Sequence, residues 1–355
     1  MTVPDNTAIL GVSVPIADIE KELRLLWEVD EARTNASLMN FAVYSEKKGS
    51  LANNSEMVRE ITREHACRAL LIGMDRHLDE TSVRAWITAH CHLAHGQKSV
   101  CCEQIAFHLT GHSRGRFRNT IFAHLQSDLP LVFWWQGELS SIFTDSLYRR
   151  IDRLVLNSSD WADVKGSFET VRKAMTDVDL VVQDLAWTRT FHYRLAVASL
   201  YDDPVAQESI QATKRIRIEA HVDHKNSALQ MLAWFTELAG WKRAQDLIAE
   251  ENSKHTSYRF SKANGELVDV ELSYQTDCAP LARFEVVSDS VKVIISRDLG
   301  CQQLRHQLSC ENHELDVHGP ADSDKCSELV ADQLSRGGKN SLFRRVLPHF
   351  IDLLD

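Results

Sequence analysis

Two nearly continuous apolar runs of strand length, Arg68 to Met74 (RALLIGM) and Leu131 to Trp135 (LVFWW), leave no polar face along either segment. Such a strand has to be covered on both sides, which a sheet lying between helices provides. Each run follows helix-like spacing, the first a short helix ending near His65 after a polar loop from Ser45 to Ser55, the second a helix from about Arg116 to Leu125. Leu38 to Tyr44, Arg153 to Leu156 and Leu180 to Gln183 read as further strands, with a helix from about Asp160 between the last two. An amphipathic helix over Ile16 to Trp27 precedes them all. Alternating runs at Val83 to His92 and Val100 to Leu109, joined through Gly96, predict a hairpin and so a mixed sheet. The first part of the chain is therefore expected to be an α/β domain with a mixed, largely buried sheet.

At 355 residues the chain exceeds what one core usually serves, so two domains are expected. Asp184 is placed to cap a helix whose Trp187, Phe191, Leu195 and Ala198 share a face and which closes the first domain. The polar, proline-containing stretch Tyr201 to Gln211 marks the boundary, which gives domains 1–205 and 206–355. Beyond it, Lys214 to Ala220 alternates polar and apolar residues, and a helix over Ser227 to Ala239 ends at Gly240, a left-handed cap. Asn264-Gly265 joins Tyr258 to Phe260 with Leu267 to Tyr274, and Ala282 to Val287 pairs with Val291 to Ile295. With helices over Ser323 to Leu334 and Ser341 to Leu354, the second domain is expected to be α+β with an antiparallel sheet.

A formal charge of -10 repels polyanions, and the one basic cluster, His112 to Arg118 (HSRGRFR), reads as a solvated face, so nucleic acid is not an expected partner. No apolar run approaches the roughly 20 residues that cross a bilayer. The start of the chain lacks a secretory pattern, and the eight scattered cysteines read as reduced thiols. A cytoplasmic protein without membrane contact is predicted.

The candidate reactive groups are sparse. His90, His92 and His95 with Cys91 could suggest a metal, but no HExxH or carboxylate base accompanies them, and polar-facing strand histidines are the simpler reading. No nucleophile elbow occurs, so no catalytic residue and no metal or cofactor is assigned. The strand-to-helix turn Leu154 to Trp161 (LVLNSSDW) could offer backbone N–H groups to an anion through Ser158 and Ser159, although Asp160 would oppose it and a helix cap explains the same residues. Trp134 and Trp135 end a buried strand facing opposite ways, and Trp187 and Arg189 (DLAWTR) diverge around a helix. Tryptophan and arginine anchor interfaces more readily than they signal catalysis, so these four are the candidate partner-binding residues. Trp234 and Trp241 repeat the theme.

Five stretches, in order, carry a likeness: Arg33 to Tyr44 (RTNASLMNFAVY), His65 to Ile72 (HACRALLI), Leu129 to Gly137 (LPLVFWWQG), Asp184 to Arg189 (DLAWTR) and Ser227 to Trp241 (SALQMLAWFTELAGW). Together they resemble the OpcA-type assembly proteins of glucose-6-phosphate dehydrogenase over nearly the whole chain. Ala66 stands where that pattern often has proline, which only loosens a turn. The resemblance implies a non-enzymatic assembly factor or allosteric activator without a cofactor. Its partner would be glucose-6-phosphate dehydrogenase, its effect to favour the active oligomer in the oxidative pentose phosphate pathway. The alternative is a sugar-phosphate-binding enzyme, of isomerase or lactonase type, using the 154–161 turn as its anion site and a histidine such as His92 as acid or base.

Overall fold

The computed structural model describes residues 9–28, 33–35, 37–94, 98–111, 114–244, 254–311, 313–336, 338 and 340–355. The chain divides into two compact units, Met1–Asp184 with Val330–Lys339 and Leu185–Leu329 with Asn340–Asp355. The boundary thus falls at Asp184 rather than at 205. The helices after Asp184 are tied into the second unit, for example by His192, whose backbone N–H and Nδ1 both lie 2.8 Å from the Asp322 carboxylate.

The first unit runs β1 (Val12–Val14), α1 (Ile19–Glu28), β2 (Arg33–Asn35), β3 (Asn40–Ser45), α2 (Ser50–Ile61), β4 (Arg68–Asp75), β5 (Val83–Ala94), β6 (Lys98–Thr110), α3 (Arg114–Phe122), β7 (Leu131–Gln136), α4 (Asp145–Tyr148), β8 (Arg153–Leu156), α5 (Val164–Val178) and β9 (Val181–Asp184). Its sheet has the order β1-β5-β6-β4-β3-β7-β8-β9, with β2 also pairing β6. The six strands from β6 to β9 are mutually parallel, and β5 and β1 add an antiparallel edge. Read along the chain, those six strands take the doubly wound order 3-2-1-4-5-6, whose direction reverses between β3 and β7. Phe41, Ala42, Val43 and Tyr44 of β3 are fully buried, as a central strand covered on both faces requires.

The helix α2 starts at Ser50, within the stretch expected to be a polar loop. Its inward face begins largely polar: Ser55 Oγ donates to Ile9 O (3.2 Å) and accepts from Gln104 Nε2 (2.9 Å), while Asn54 is 1% exposed. Over the first turns Leu51 is the one apolar residue among buried Ser50, Asn54 and Ser55, so the apolar pattern becomes readable only from Val58 and Ile61 onward. Gly73 of β4 allows α2 to approach, since a Cβ there would stand 2.9 Å from Leu51 Cγ.

The second unit runs α6 (Leu185–Thr188), α7 (Phe191–Tyr201), α8 (Pro204–Ser209), β10 (Thr213–His221), α9 (Lys225–Ala239), β11 (Lys242–Arg243), β12 (His255–Ser261), β13 (Leu267–Gln275), β14 (Leu281–Ser288), β15 (Val291–Ser296), β16 (Gln303–Cys310) and β17 (His313–Pro320). Then come α10 (Cys326–Ser335), where the chain returns to the first unit, and α11 (Ser341–Asp352). The sheet order is β11-β12-β13-β10-β14-β15-β16-β17. All its pairs are antiparallel except β10 with β13, so the expected antiparallel sheet carries one parallel seam. The nearly all-buried α9 packs with α6, α11 and β10 and ends at Gly240 with φ +70°, the expected left-handed cap.

Three local expectations are corrected. The helix after Asp184 is two pieces, because α6 stops at Thr188 and α7 begins at Phe191, which re-phases the faces and leaves Leu195 51% exposed. The supposed linker is folded, with Asp203 capping α8 through Val205 N (2.8 Å) and Pro204 at its first turn. The hairpin of β16 and β17 was not anticipated, since β17 is exposed nearly throughout and its alternation carries only two apolar residues, Leu315 and Val317. Among the described residues no helix is long and apolar enough to cross a membrane.

Candidate functional site

In doubly wound sheets the crevice beyond the strand ends at the order reversal is where ligands bind, dinucleotides above all. Here that crevice is bounded by the turn from β3 into α2 and by the end of β7. The turn reads Ser45-Glu46-Lys47-Lys48-Gly49, with a single glycine at the N-cap of α2, where φ is +77°. A pyrophosphate needs a glycine-rich turn, because its oxygens bond directly to closely approaching backbone. Instead the turn carries a carboxylate: Glu46 Oε1 accepts from the Tyr44 hydroxyl (2.6 Å), and Arg76 Nη1 lies 3.6 Å away. Arg76 also donates to Ser141 Oγ at 2.9 Å. Burial and the Glu46 carboxylate both push the Tyr44 phenol pKa well above its ordinary value, so Tyr44 remains a donor.

At the other wall, the amides of Asn54 (α2) and Gln136 (β7) bond to each other in both directions at 3.0 Å. Next to them Trp135 Nε1 donates to Glu138 O (2.9 Å), Trp161 Nε1 donates to Gly137 O (3.0 Å), and Tyr44 lies 4.4 Å from the Trp135 ring. The groups that line the reversal point bind each other. These residues do not fit a dinucleotide, because a fixed carboxylate stands in the phosphate turn and an amide pair ties α2 to β7.

The anticipated site residues are dispersed. Trp134 and Trp135 are 3% and 0% exposed within the first unit, and Trp187 and Arg189 are 4% and 3% exposed. All four are therefore interior residues and offer no outer surface to a partner, which corrects the expectation built on them. Their rings are used internally: Trp134 stacks near Phe41, and Arg194 lies 3.6 Å over the Trp187 ring. Trp234 and Trp241 are likewise core. Ser158 is not an anion site, because a carboxylate already holds it: Asp184 Oδ1 accepts from Ser158 N (3.0 Å) and Oδ2 from its hydroxyl (2.6 Å). The adjoining helical turn is only Ser158–Asp160. Ser159 carries a buried hydroxyl in the same turn.

The histidines do not converge on one point. His90 bonds Gln104 (2.9 Å) and His92 bonds Thr62 (3.0 Å), and both have lowered pKa values, chiefly from burial. His95 and His112 lie outside the described residues, as do the side chains of the basic cluster up to Phe117. Cys91 is bonded to Cys101 across β5 and β6, where register sets them opposite at a Cα separation of 4.0 Å. The reading of every cysteine as a reduced thiol is therefore corrected for this pair, whereas Cys67 and Cys102 form no disulfide and are buried.

What sequence reasoning missed is a charged sheet face in the second unit. Register aligns Ser257, Glu271, Arg217, Glu285, Ile294, Gln307 and Asp316 in one row across seven strands. Glu285, only 2% exposed, lies among Arg283, Lys292 (3.6 Å) and Arg217 (3.8 Å), and Arg217 also reaches Glu271 at 3.3 Å. Flanking rows add Arg259 with Asp269 (2.6 Å) and Arg305 bidentate on Asp316. The opposite face is apolar, with Ile216, Ile218, Val270, Leu272, Phe284, Val293 and Ile295 buried. Alternation in Lys214 to Ala220 was the signal for this face, but only register shows which charges meet.

The chain matches the family described as "Glucose-6-phosphate dehydrogenase subunit N-terminal domain" over residues 58–173 and the corresponding "C-terminal domain" over residues 180–347. Similar curated proteins are the "Putative OxPP cycle protein OpcA" of Synechocystis sp., 20% identical over 304 residues covering 80% of this chain and 62% of that protein. Its namesake in Synechococcus elongatus is 18% identical over 302 residues, covering 81% and 67%. The chain thus spans less than two thirds of the Synechocystis protein. Among solved structures, a mutant of KijD10, a 3-ketoreductase from Actinomadura kijaniata in complex with TDP-benzene and NADP, is 11% identical with a TM-score of 0.51, covering 89% of this chain and 96% of that one. An aldose-aldose oxidoreductase from Caulobacter crescentus gives 10% and 0.49, with 89% and 96% covered. At such identity the first likeness concerns the fold alone.

Proposed function

Since the chain belongs to the OpcA family of glucose-6-phosphate dehydrogenase subunits, we propose that it is a non-enzymatic assembly factor or allosteric activator of that dehydrogenase. It favours the active oligomer in the oxidative pentose phosphate pathway and works in the cytoplasm. The observation that carries this reading is the ordered match to both family domains, which together extend over most of the chain. The reversal-point crevice supports it. Glu46, bonded by Tyr44 and faced by Arg76, stands in the turn that holds dinucleotide phosphates in doubly wound folds, which supports a scaffold role for this fold.

Such a factor acts by binding one oligomeric state of the enzyme more tightly than the others, and its leverage equals that difference in affinity. Titrating purified glucose-6-phosphate dehydrogenase with this chain, while following oligomer mass by light scattering and turnover by NADPH absorbance, tests it. A rise in the active oligomer with a saturable gain in turnover is expected. No association, with oligomer and turnover both unchanged, overturns the reading.

A further inference from the structure

The last strand of the second sheet, β17, pairs with β16 on one side, and no strand pairs its other side among the described residues. Protected sheet edges are short, bulged, covered, broken by proline or charged, above all with lysine, and a charged edge pairs only with a strand that complements its charges. β17 runs eight residues in unbroken register with β16, carries no lysine, and has proline only at its end. On the helix-bearing side it exposes Leu315 (36%) and Val317 (41%), next to α7, whose Leu195 is 51% exposed, and near α8 with Val205 at 43%. His313 Nε2 lies 3.2 Å from the Asp203 carboxylate, tying the start of the strand to the turn between those helices. On the uncovered side the strand presents Glu314, Asp316 and His318.

We propose that β17 pairs antiparallel with β17 of a second copy, joining two eight-stranded sheets across a two-fold axis at Asp316. The strand's sequence is self-complementary in that register. An axis perpendicular to the sheet keeps the faces matched and sets Glu314 opposite His318 of the partner subunit, twice by symmetry. Leu315 meets Val317 of the partner subunit on the helix side, again twice, so four edge apolar residues leave water together. The only like charges opposed are the two Asp316 carboxylates, and each is held bidentate by its own Arg305 at 3.0 and 3.1 Å. Moving the axis to residue 315 would set Glu314 against Asp316, and moving it to residue 317 would face Leu315 with Gly319, so only the axis at Asp316 pairs opposite charges and apolar side chains together. A self-complementary edge identifies the occupant as this chain itself, and the pairing is independent of any dehydrogenase partner.

Sedimentation equilibrium of the full chain, with hydrogen exchange at several concentrations, tests the proposal. A reversible dimer is expected, with exchange in residues 313–320 slowing as concentration rises. His318→Glu, which places two glutamates opposite each other without altering the fold of one copy, should weaken the dimer by about tenfold or more. The double variant Glu314→His with His318→Glu should restore it. A monomer at every concentration overturns the pairing, as does a dimer that His318→Glu leaves unchanged. Protection of residues 313–320 that appears only when glucose-6-phosphate dehydrogenase is added also overturns it.

Discussion

Asn54 and Gln136 exchange two hydrogen bonds of 3.0 Å each, amide to amide, and so fasten the first helix after the central strand to the end of the strand beyond the order reversal. Asn54 is 1% exposed, so losing its partner leaves a buried amide without compensation. Gln136→Leu is expected to destabilise the chain by about 1–3 kcal/mol in urea unfolding. Asn54→Leu with Gln136→Leu should cost less than the sum of the single changes. Additive losses would mean that the two amides are not coupled.

The Asp184 carboxylate is fully buried and accepts from both the backbone and the hydroxyl of Ser158. Ser158→Ala removes one bond to a charged acceptor and should lower stability by about 1.5–3 kcal/mol. Because a carboxylate stands where an anion would bind, millimolar inorganic phosphate should leave the melting temperature of the wild type and of Ser158→Ala equally unmoved. A phosphate-dependent rise that disappears in the variant would revive the sugar-phosphate reading.

Burial, with the Arg189 and His221 charges behind it, pushes the His224 pKa down to about 3 from its ordinary 6.5. Above pH 6.5 the ring is neutral in both folded and unfolded chains and contributes nothing to the pH dependence. Between about 6.5 and 3 only the unfolded chain takes the proton, so stability declines as pH falls, and the decline levels off below the folded value. His224→Gln should flatten the slope of unfolding free energy against pH across pH 6 to 4 by one proton equivalent. An unchanged slope would show that the ring titrates freely.

On the charged sheet face, Glu285 is the nearly buried anion among Arg217, Arg283 and Lys292. Glu285→Gln leaves these three cations facing one another, and a loss of stability that shrinks as salt rises is expected, since added ions screen the remaining repulsion. Denaturation at low and high ionic strength separates this from a packing defect, which salt would not relieve.

The bond between Cys91 and Cys101 closes a loop of only ten residues within a hairpin already paired by register. Cys91→Ala with Cys101→Ala should retain the native circular dichroism and lose about 2–3 kcal/mol. Non-reducing peptide mapping of the wild type should recover the two cysteines in one linked fragment. Alkylation of both in the folded, unreduced protein would contradict the pairing.

Much of this fold was legible because burial on both faces marks a central strand: Arg68 to Met74 and Leu131 to Trp135 became β4 and β7. The first turns of α2 were hidden because Asn54 and Ser55, polar residues satisfied by partners remote in sequence, share its buried side with Leu51, Val58 and Ile61. The candidate partner contacts failed for a related reason. Residue type suggested that Trp134, Trp135, Trp187 and Arg189 could be anchors, but type alone does not distinguish an interface aromatic from a core one.

Local patterning by itself determined the two-part organisation, the α/β and α+β classes, most element positions and the ordered motifs of the family, because periodicity and turn chemistry act within a few residues. Only tertiary structure decided the strand order with its reversal between β3 and β7, the filling of that crevice by Glu46, Arg76, Asn54 and Gln136, and the meeting of Glu285 with its three cations. Each of these depends on register between strands distant along the chain. Register is set by the joint packing of many side chains and is written in no single segment.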